Sequence, residues 1–133
     1  MYKIQKKPWG FHLTFADIID RKEMQQWLEE SSQAVKATTT GFGVFVDMRT
    51  LKPLAADVQA VMQEGQKLFK AAGMTRSVVI LASKLVTLQF QRIAKETGIY
   101  EWERYIDASS IESWEAAGIA WVRDRIDPDV QVA

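Results

Sequence analysis

The chain has 133 residues, 47% of them hydrophobic and 26% charged, which is the composition of one ordinary globular domain with a sizeable core. Lysine plus arginine (17) equals aspartate plus glutamate (17), so the basic excess of a protein that neutralises many phosphates is missing and nucleic acid is not expected as a partner. Cysteine is absent, which removes disulfides, thiol nucleophiles and thiolate zinc sites.

Tyr2 to Lys7 alternates weakly and stops at Pro8, as a short edge strand does. Phe11, Leu13 and Phe15 alternate with His12 and Thr14, a period-2 strand with one buried face and His12 toward solvent. Pro8, Trp9 and Gly10 turn between the two, which predicts a hairpin. Asp20 with Glu23 makes a capping-box-like start for a helix whose stripe is Met24, Trp27, Leu28 and Val35, ended by Thr38 to Gly41. Val44 to Met48 is a buried strand. Arg49 to Leu54 connects it onward, and its Leu51 and Leu54 either pack down on the sheet or belong to a contact surface. Val58, Val61, Met62, Gly65, Leu68, Phe69 and Ala72 mark the next helix, with Gly73 free to take the positive φ that ends it.

Ser77 to Ala82 is apolar and largely β-branched, as in a central parallel strand. Ser83 caps a helix with Val86, Phe90, Ile93 and Ala94 on its core face, closed by Gly98. Tyr100 to Ile106 alternates as a half-exposed strand, with Glu101 and Glu103 turned away from Trp102. Asp107, Ser109 and Ser110 offer caps for a last helix with the stripe Ile111, Trp114, Gly118, Trp121 and Val122. The order is ββαβαβαβα, an α/β class with a mixed, mostly parallel five-stranded sheet and helices packed on it. Residues 1–126 are read as a single domain and 127–133 as a flexible tail.

Catalytic and metal signatures are sparse. His12 is the one histidine and has no nucleophile motif beside it. Gly41 and Gly43 precede a strand, whereas a dinucleotide fingerprint places its glycines after one. No cofactor is expected, and no metal. Asp47 ends a buried strand like the phosphoacceptor of a receiver domain, but Asp107 stands where that chemistry needs lysine. The expected role of Asp47 is to bond backbone amides of the Arg49–Pro53 loop. Trp27, Trp114 and Trp121 are expected in the core, while Trp9 and Trp102 are candidates for a dimer contact or a pocket wall. Open α/β sheets bind ligands beyond the carboxyl ends of their strands, which selects Asp47, Arg49, Thr50, Leu51, Leu54, Ser83 and Lys84 as candidate ligand or partner residues. Residues 96–133 hold nine acids and three arginines, a balance of −6 that is either a set of solvated faces or a patch for a basic partner.

The order of elements is similar to the STAS superfamily (sulfate transporter and anti-sigma factor antagonist), and more closely to its small bacterial SpoIIAA-like, or STAS/SEC14-like, branch. The residues that carry the resemblance are Gly43-Val-Phe-Val-Asp47, Arg76-Ser-Val-Val-Ile-Leu-Ala82, and Tyr105-Ile-Asp107 leading to Ile111-Glu-Ser-Trp-Glu115, with Trp121 and Val122 in the terminal helix. It covers roughly residues 9–123. The resemblance implies a non-enzymatic regulatory or protein-interaction module, homodimeric, with a regulatory protein as a possible partner. The switch serine of such antagonists falls in Leu54-Ala-Ala-Asp57 here, and Ala55 and Ala56 have no hydroxyl to phosphorylate. The alternative is a binding protein for a small amphiphile such as a lipid, read from Leu51 to Leu54 and the apolar face of the Ser83 helix. No segment reaches the roughly 20 apolar residues of a membrane span, and the amino terminus lacks a signal-peptide core, so cytoplasmic location is the expectation.

Overall fold

A computed structural model describes residues 1–130. The elements are β1 (Tyr2–Lys7), β2 (Gly10–Phe15), α1 (Arg21–Lys36), β3 (Phe42–Asp47), α2 (Ala56–Ala72), β4 (Met74–Leu81), α3 (Lys84–Thr97), a 3₁₀ turn (Tyr100–Trp102), β5 (Glu103–Asp107) and α4 (Trp114–Asp124). This is the ββαβαβαβα order that the sequence predicts, with one antiparallel pair, β1–β2, and parallel pairing elsewhere. In the sheet the strands lie in chain order, β1-β2-β3-β4-β5. Parallel crossovers are right-handed. A sheet that grows in one direction therefore receives α1, α2 and α3 on the same face.

That face holds the larger core, in which Phe11, Leu13 and Phe15 of β2 and Val44 and Val46 of β3 meet Trp27 of α1, Phe69 of α2 and Phe90 of α3. The opposite face carries α4 alone, over Phe45, Val78, Ile80 and Ile106. α4 sits close because β3 has no side chain at Gly43: a Cβ there would lie 2.6 Å from the carbonyl oxygen of Val122. Trp121 Nε1 donates to the Ser77 carbonyl at 2.9 Å, and Arg76 donates to the carbonyls of Trp121 (3.0 Å) and Val122 (3.2 Å). The two Arg76 bonds give an acceptor role to the Val122 carbonyl, which the end of the helix leaves free, and a second donor to the Trp121 carbonyl, which already accepts from the Arg125 amide at 3.2 Å.

Several expectations change. Tyr100 to Ile106 is not one strand. Gly98, at φ 83°, ends α3, and the Trp102 amide closes a tight turn on Ile99, so the strand starts only at Glu103. The shift in phase sends Glu103 inward, not outward, to 5% exposure. Ile111 precedes α4 and is exposed, because Asp107 draws residues 107–111 into a turn by accepting from the Ser109 amide at 2.9 Å. Trp114 is half-buried at the rim of the smaller core instead of inside it. His12 is half-buried against Phe45, ring centroids 4.7 Å apart, and desolvation lowers its pKa. Trp9 and Trp102 are likewise half-buried, packed on core residues. Of the expected tail, Asp127 takes a two-point contact from Arg104 at 2.8 and 2.9 Å, and residues 131–133 lie outside the described residues.

Glu103 bridges β4 and β5 from inside the larger core. Its carboxyl accepts from Ser77 Oγ at 2.9 Å and from Tyr105 Oη at 2.6 Å. Burial nevertheless dominates those two bonds and pushes its pKa from 4.5 up to about 7. The unfolded chain loses this proton near 4.5 and the folded chain near 7, so between those values the native state holds the extra proton and stability falls as pH rises. The difference corresponds to roughly 3 kcal/mol at full effect. Glu103→Gln should flatten this slope between pH 5 and 7 and raise stability at pH 8, as read by urea denaturation across that range; an unchanged slope would show that Glu103 is already ionised throughout.

Candidate functional site

The carboxyl ends of β2 to β5 meet four connections: the loop at Asp17, the Met48–Ala55 segment, the start of α3, and the turn at Asp107. Asp17 takes a left-handed backbone (φ 62°). Its amide donates to the Thr50 carbonyl at 3.1 Å and its carbonyl accepts from the Lys52 amide at 2.9 Å. Leu51 and Leu54 take the first of their two alternatives. They pack down, at 3% and 4% exposure, each contributing about 1.5–3 kcal/mol of apolar burial. A connection that carries buried leucines is part of the core and presents Arg49, Thr50, Lys52, Pro53 and Ala55 to solvent.

Asp47 accepts from the Arg49 amide at 3.1 Å, as the loop-cap reading requires. It also receives the Arg49 guanidinium in a two-point contact, Nε at 3.0 Å and Nη2 at 2.9 Å. This pairing raises the Arg49 pKa above its ordinary value. The guanidinium lies over Trp114, 4.1 Å from the ring centroid. Asp47, Arg49 and Trp114 thus form one stack that joins the end of β3 to the start of α4. Trp114 is the member that sequence reasoning missed as a site residue, since its position on the α4 stripe reads as core.

The remaining candidates are elsewhere. Ser83 caps α3, its Oγ accepting from the Val86 amide at 3.3 Å. Among the described residues no hydrogen bond joins Ser83 to Asp47 or Arg49. Ser83 and Lys84 instead line a concavity of about 280 Å³ with Leu81, Thr87, Leu88 and Asp107. Hydrogen bonds from Ser109 hold the Asp107 carboxyl below its ordinary range, so it is a carboxylate at neutral pH. Next to the concavity, Leu85 and Leu88 are 56% and 63% exposed on the first turns of α3.

A second unforeseen element is Gln89 of α3. Its amide grips Leu54 in both directions, accepting from the Leu54 amide at 2.9 Å and donating to the Leu54 carbonyl at 3.1 Å. The entry to α2 has no side-chain cap at Ala55, so this long-range clamp supplies what a serine or aspartate would supply locally. Nothing in the sequence marks it, because residues 54 and 89 are brought together only by the packing of α2 against α3.

Among the described residues no three His, Asp or Glu side chains lie together to hold a metal ion. No helix there is long and apolar enough to cross a membrane. The chain matches no protein-family model and no curated protein.

Gln89→Ala should cost about 1–3 kcal/mol of stability, because it leaves the buried Leu54 amide without an acceptor. Hydrogen exchange should show that amide, together with the first turn of α2, exchanging faster than in the parent protein. Unchanged protection at Leu54 would mean that the clamp does not hold the loop.

Proposed function

We propose that the chain is a non-enzymatic regulatory or protein-interaction module of the STAS-like kind, self-associating, cytoplasmic, and without the phosphorylatable serine. The observation that carries the reading is the pair Leu85 and Leu88, one turn apart and largely exposed at the rim of the strand-end concavity. Apolar side chains rimmed by Lys84, Thr87 and Asp107 make a patch suited to docking another protein surface. The polar groups nearby support the same reading from the other side. Asp47 is engaged by Arg49, Ser83 by the α3 backbone and Asp107 by Ser109, so each has a structural task. The start of α2 lacks a hydroxyl, and its entry is held by Gln89 and by Gln59, which donates to the Leu54 carbonyl at 2.9 Å. A surface held this firmly suits recognition by shape.

If the leucine patch is the contact, Leu88→Lys should weaken association roughly tenfold or more, since burying one leucine is worth about 1.5–3 kcal/mol. Sedimentation equilibrium over a wide concentration range measures this. A parent protein that stays monomeric throughout and retains no partner removes the proposal.

The second reading is a carrier for a small amphiphile, and the strand-end concavity favours it. Its wall has Leu81, Ala82 and Leu88, with Lys84 and Ser83 as polar anchors. At about 280 Å³ it is near the lower size of known ligand sites. The cavity inside the larger core, about 30 Å³, has room for about two water molecules and no lipid tail. Native mass spectrometry of freshly purified protein should then show a bound species. A bare mass, with no thermal shift on adding lipids, would remove this reading.

A further inference from the structure

Two opposite charges stand at the rim of the strand-end concavity, beside Leu85 and Leu88. Lys84, the first residue of α3, and Asp107, the last residue of β5, line the same concavity. They are near enough for the lysine charge to help keep Asp107 ionised. Yet they form no ion pair with each other, and Lys84 forms none with any other group among the described residues. The cations farther along α3 are engaged: Arg92 donates to Gln59, and Lys95 Nζ lies 4.8 Å from the centroid of the Tyr100 ring. Ser109 occupies one oxygen of the Asp107 carboxylate, Oδ1, through its amide at 2.9 Å and its hydroxyl at 2.5 Å. The other oxygen, Oδ2, accepts no hydrogen bond among the described residues.

Leu85 and Leu88 are three residues apart and Lys84 and Leu88 four apart, so the three share one exposed side of α3. The turn that carries Asp107 also exposes Ile111, at 41%. A surface patch with charge of one sign repels its own copy. This patch holds both signs, so it is its own electrostatic complement. In a two-fold contact residue i meets residue j of the copy, and j meets i. Lys84 then meets Asp107 of the second copy, and Asp107 meets that copy's Lys84. One rotation closes two ion pairs next to a leucine centre. A partner surface of a single sign would answer only one of the two charges and oppose the other. The whole chain has 17 basic and 17 acidic side chains, so two copies approach without net repulsion.

We infer that the Leu85–Leu88 face docks on the same face of a second copy of this chain about a two-fold axis, with Lys84 and Asp107 exchanged between the copies as the ion pairs that set its register. This rests on the reading of the leucine patch as a protein contact, and it adds which surface is met and which groups orient it. The leucines supply the attraction, through apolar area removed from water. The exchanged charges supply the orientation, since a copy turned the other way sets like charges together.

Charge reversal tests the exchange. Lys84→Glu sets carboxylate against carboxylate in both pairs, and Asp107→Lys sets ammonium against ammonium. Each variant alone should associate about tenfold or more weakly than the parent in sedimentation equilibrium at low ionic strength. Mixed in equal amounts, the two should form a heterodimer, seen at its own mass by native mass spectrometry, because each supplies the charge that the other lacks. Asp107→Asn keeps an acceptor for Ser109, and so keeps the turn should Asp107→Lys disturb it. Its mixture with Lys84→Glu should associate more tightly than Lys84→Glu alone. A parent that associates equally well with either reversal in place, or folded variants whose mixtures gain nothing, would overturn the exchange while leaving self-association standing. A monomeric parent that retains a different protein would overturn the two-fold contact and leave the interaction-module reading in place.

Discussion

The contact on which the smaller face of the protein depends is the close approach of α4 to β3. It is possible because two glycines face each other's elements. Gly43 leaves room for the Val122 backbone, and Gly118 leaves room for the ring of Phe45, which a Cβ would approach to 2.6 Å. Once α4 is seated, Trp121 reaches the Ser77 carbonyl, Arg76 reaches the last carbonyls of the helix, and Arg104 lies 4.4 Å from the centroid of the Trp121 ring. The start of the same helix places Trp114 beneath Arg49. A single helix covers β3 to β5 and leaves the outward side of β2 open, which is why His12 is half-buried.

The strand ends are organised by the same economy of partners. Connections that carry function in many α/β proteins are here anchored from several directions. The Met48–Ala55 segment is bonded to Asp17, capped by Asp47, weighted by two buried leucines and gripped by Gln89. Rigidity of this kind lowers the entropy lost when a surface is recognised. It also means that a polar side chain near a strand end is not by itself a reactive one. Asp47 and Ser83, which residue type and position single out, both have structural work.

Much of the fold was legible in the chain. Asp20 caps α1 through the Glu23 amide at 2.8 Å, Gly73 takes φ 114° after α2, and the α3 stripe of Val86, Phe90, Ile93 and Ala94 is buried as its spacing predicts. Such features are local: a cap, a positive φ and a 3.6-residue period all act within a few residues. The region after Gly98 was misread because a three-residue turn resets the alternation, and period alone cannot locate that reset. Glu103 follows from it. A carboxylate in a strand reads as outward, and only the neighbouring Ser77 hydroxyl and Tyr105 hydroxyl make an inward one tolerable. Leu51 and Leu54 were open between two readings for a related reason, since a loop's burial depends on what stands above it.

By itself the sequence determined the α/β class, the ββαβαβαβα order, the side-chain caps of α1 and α3 and the glycines that end α2 and α3, whereas the caps expected for α4 at Asp107, Ser109 and Ser110 form a separate turn before Ser113. These rest on hydrophobic period and backbone preference, which the chain expresses locally. Tertiary structure alone decided the strand order, the segregation of three helices on one face and one on the other, the Gln89 clamp, the Arg49–Trp114 stack and the concavity shared by Lys84 and Asp107. Each of these joins residues far apart in the chain, brought together by the crossovers and by packing.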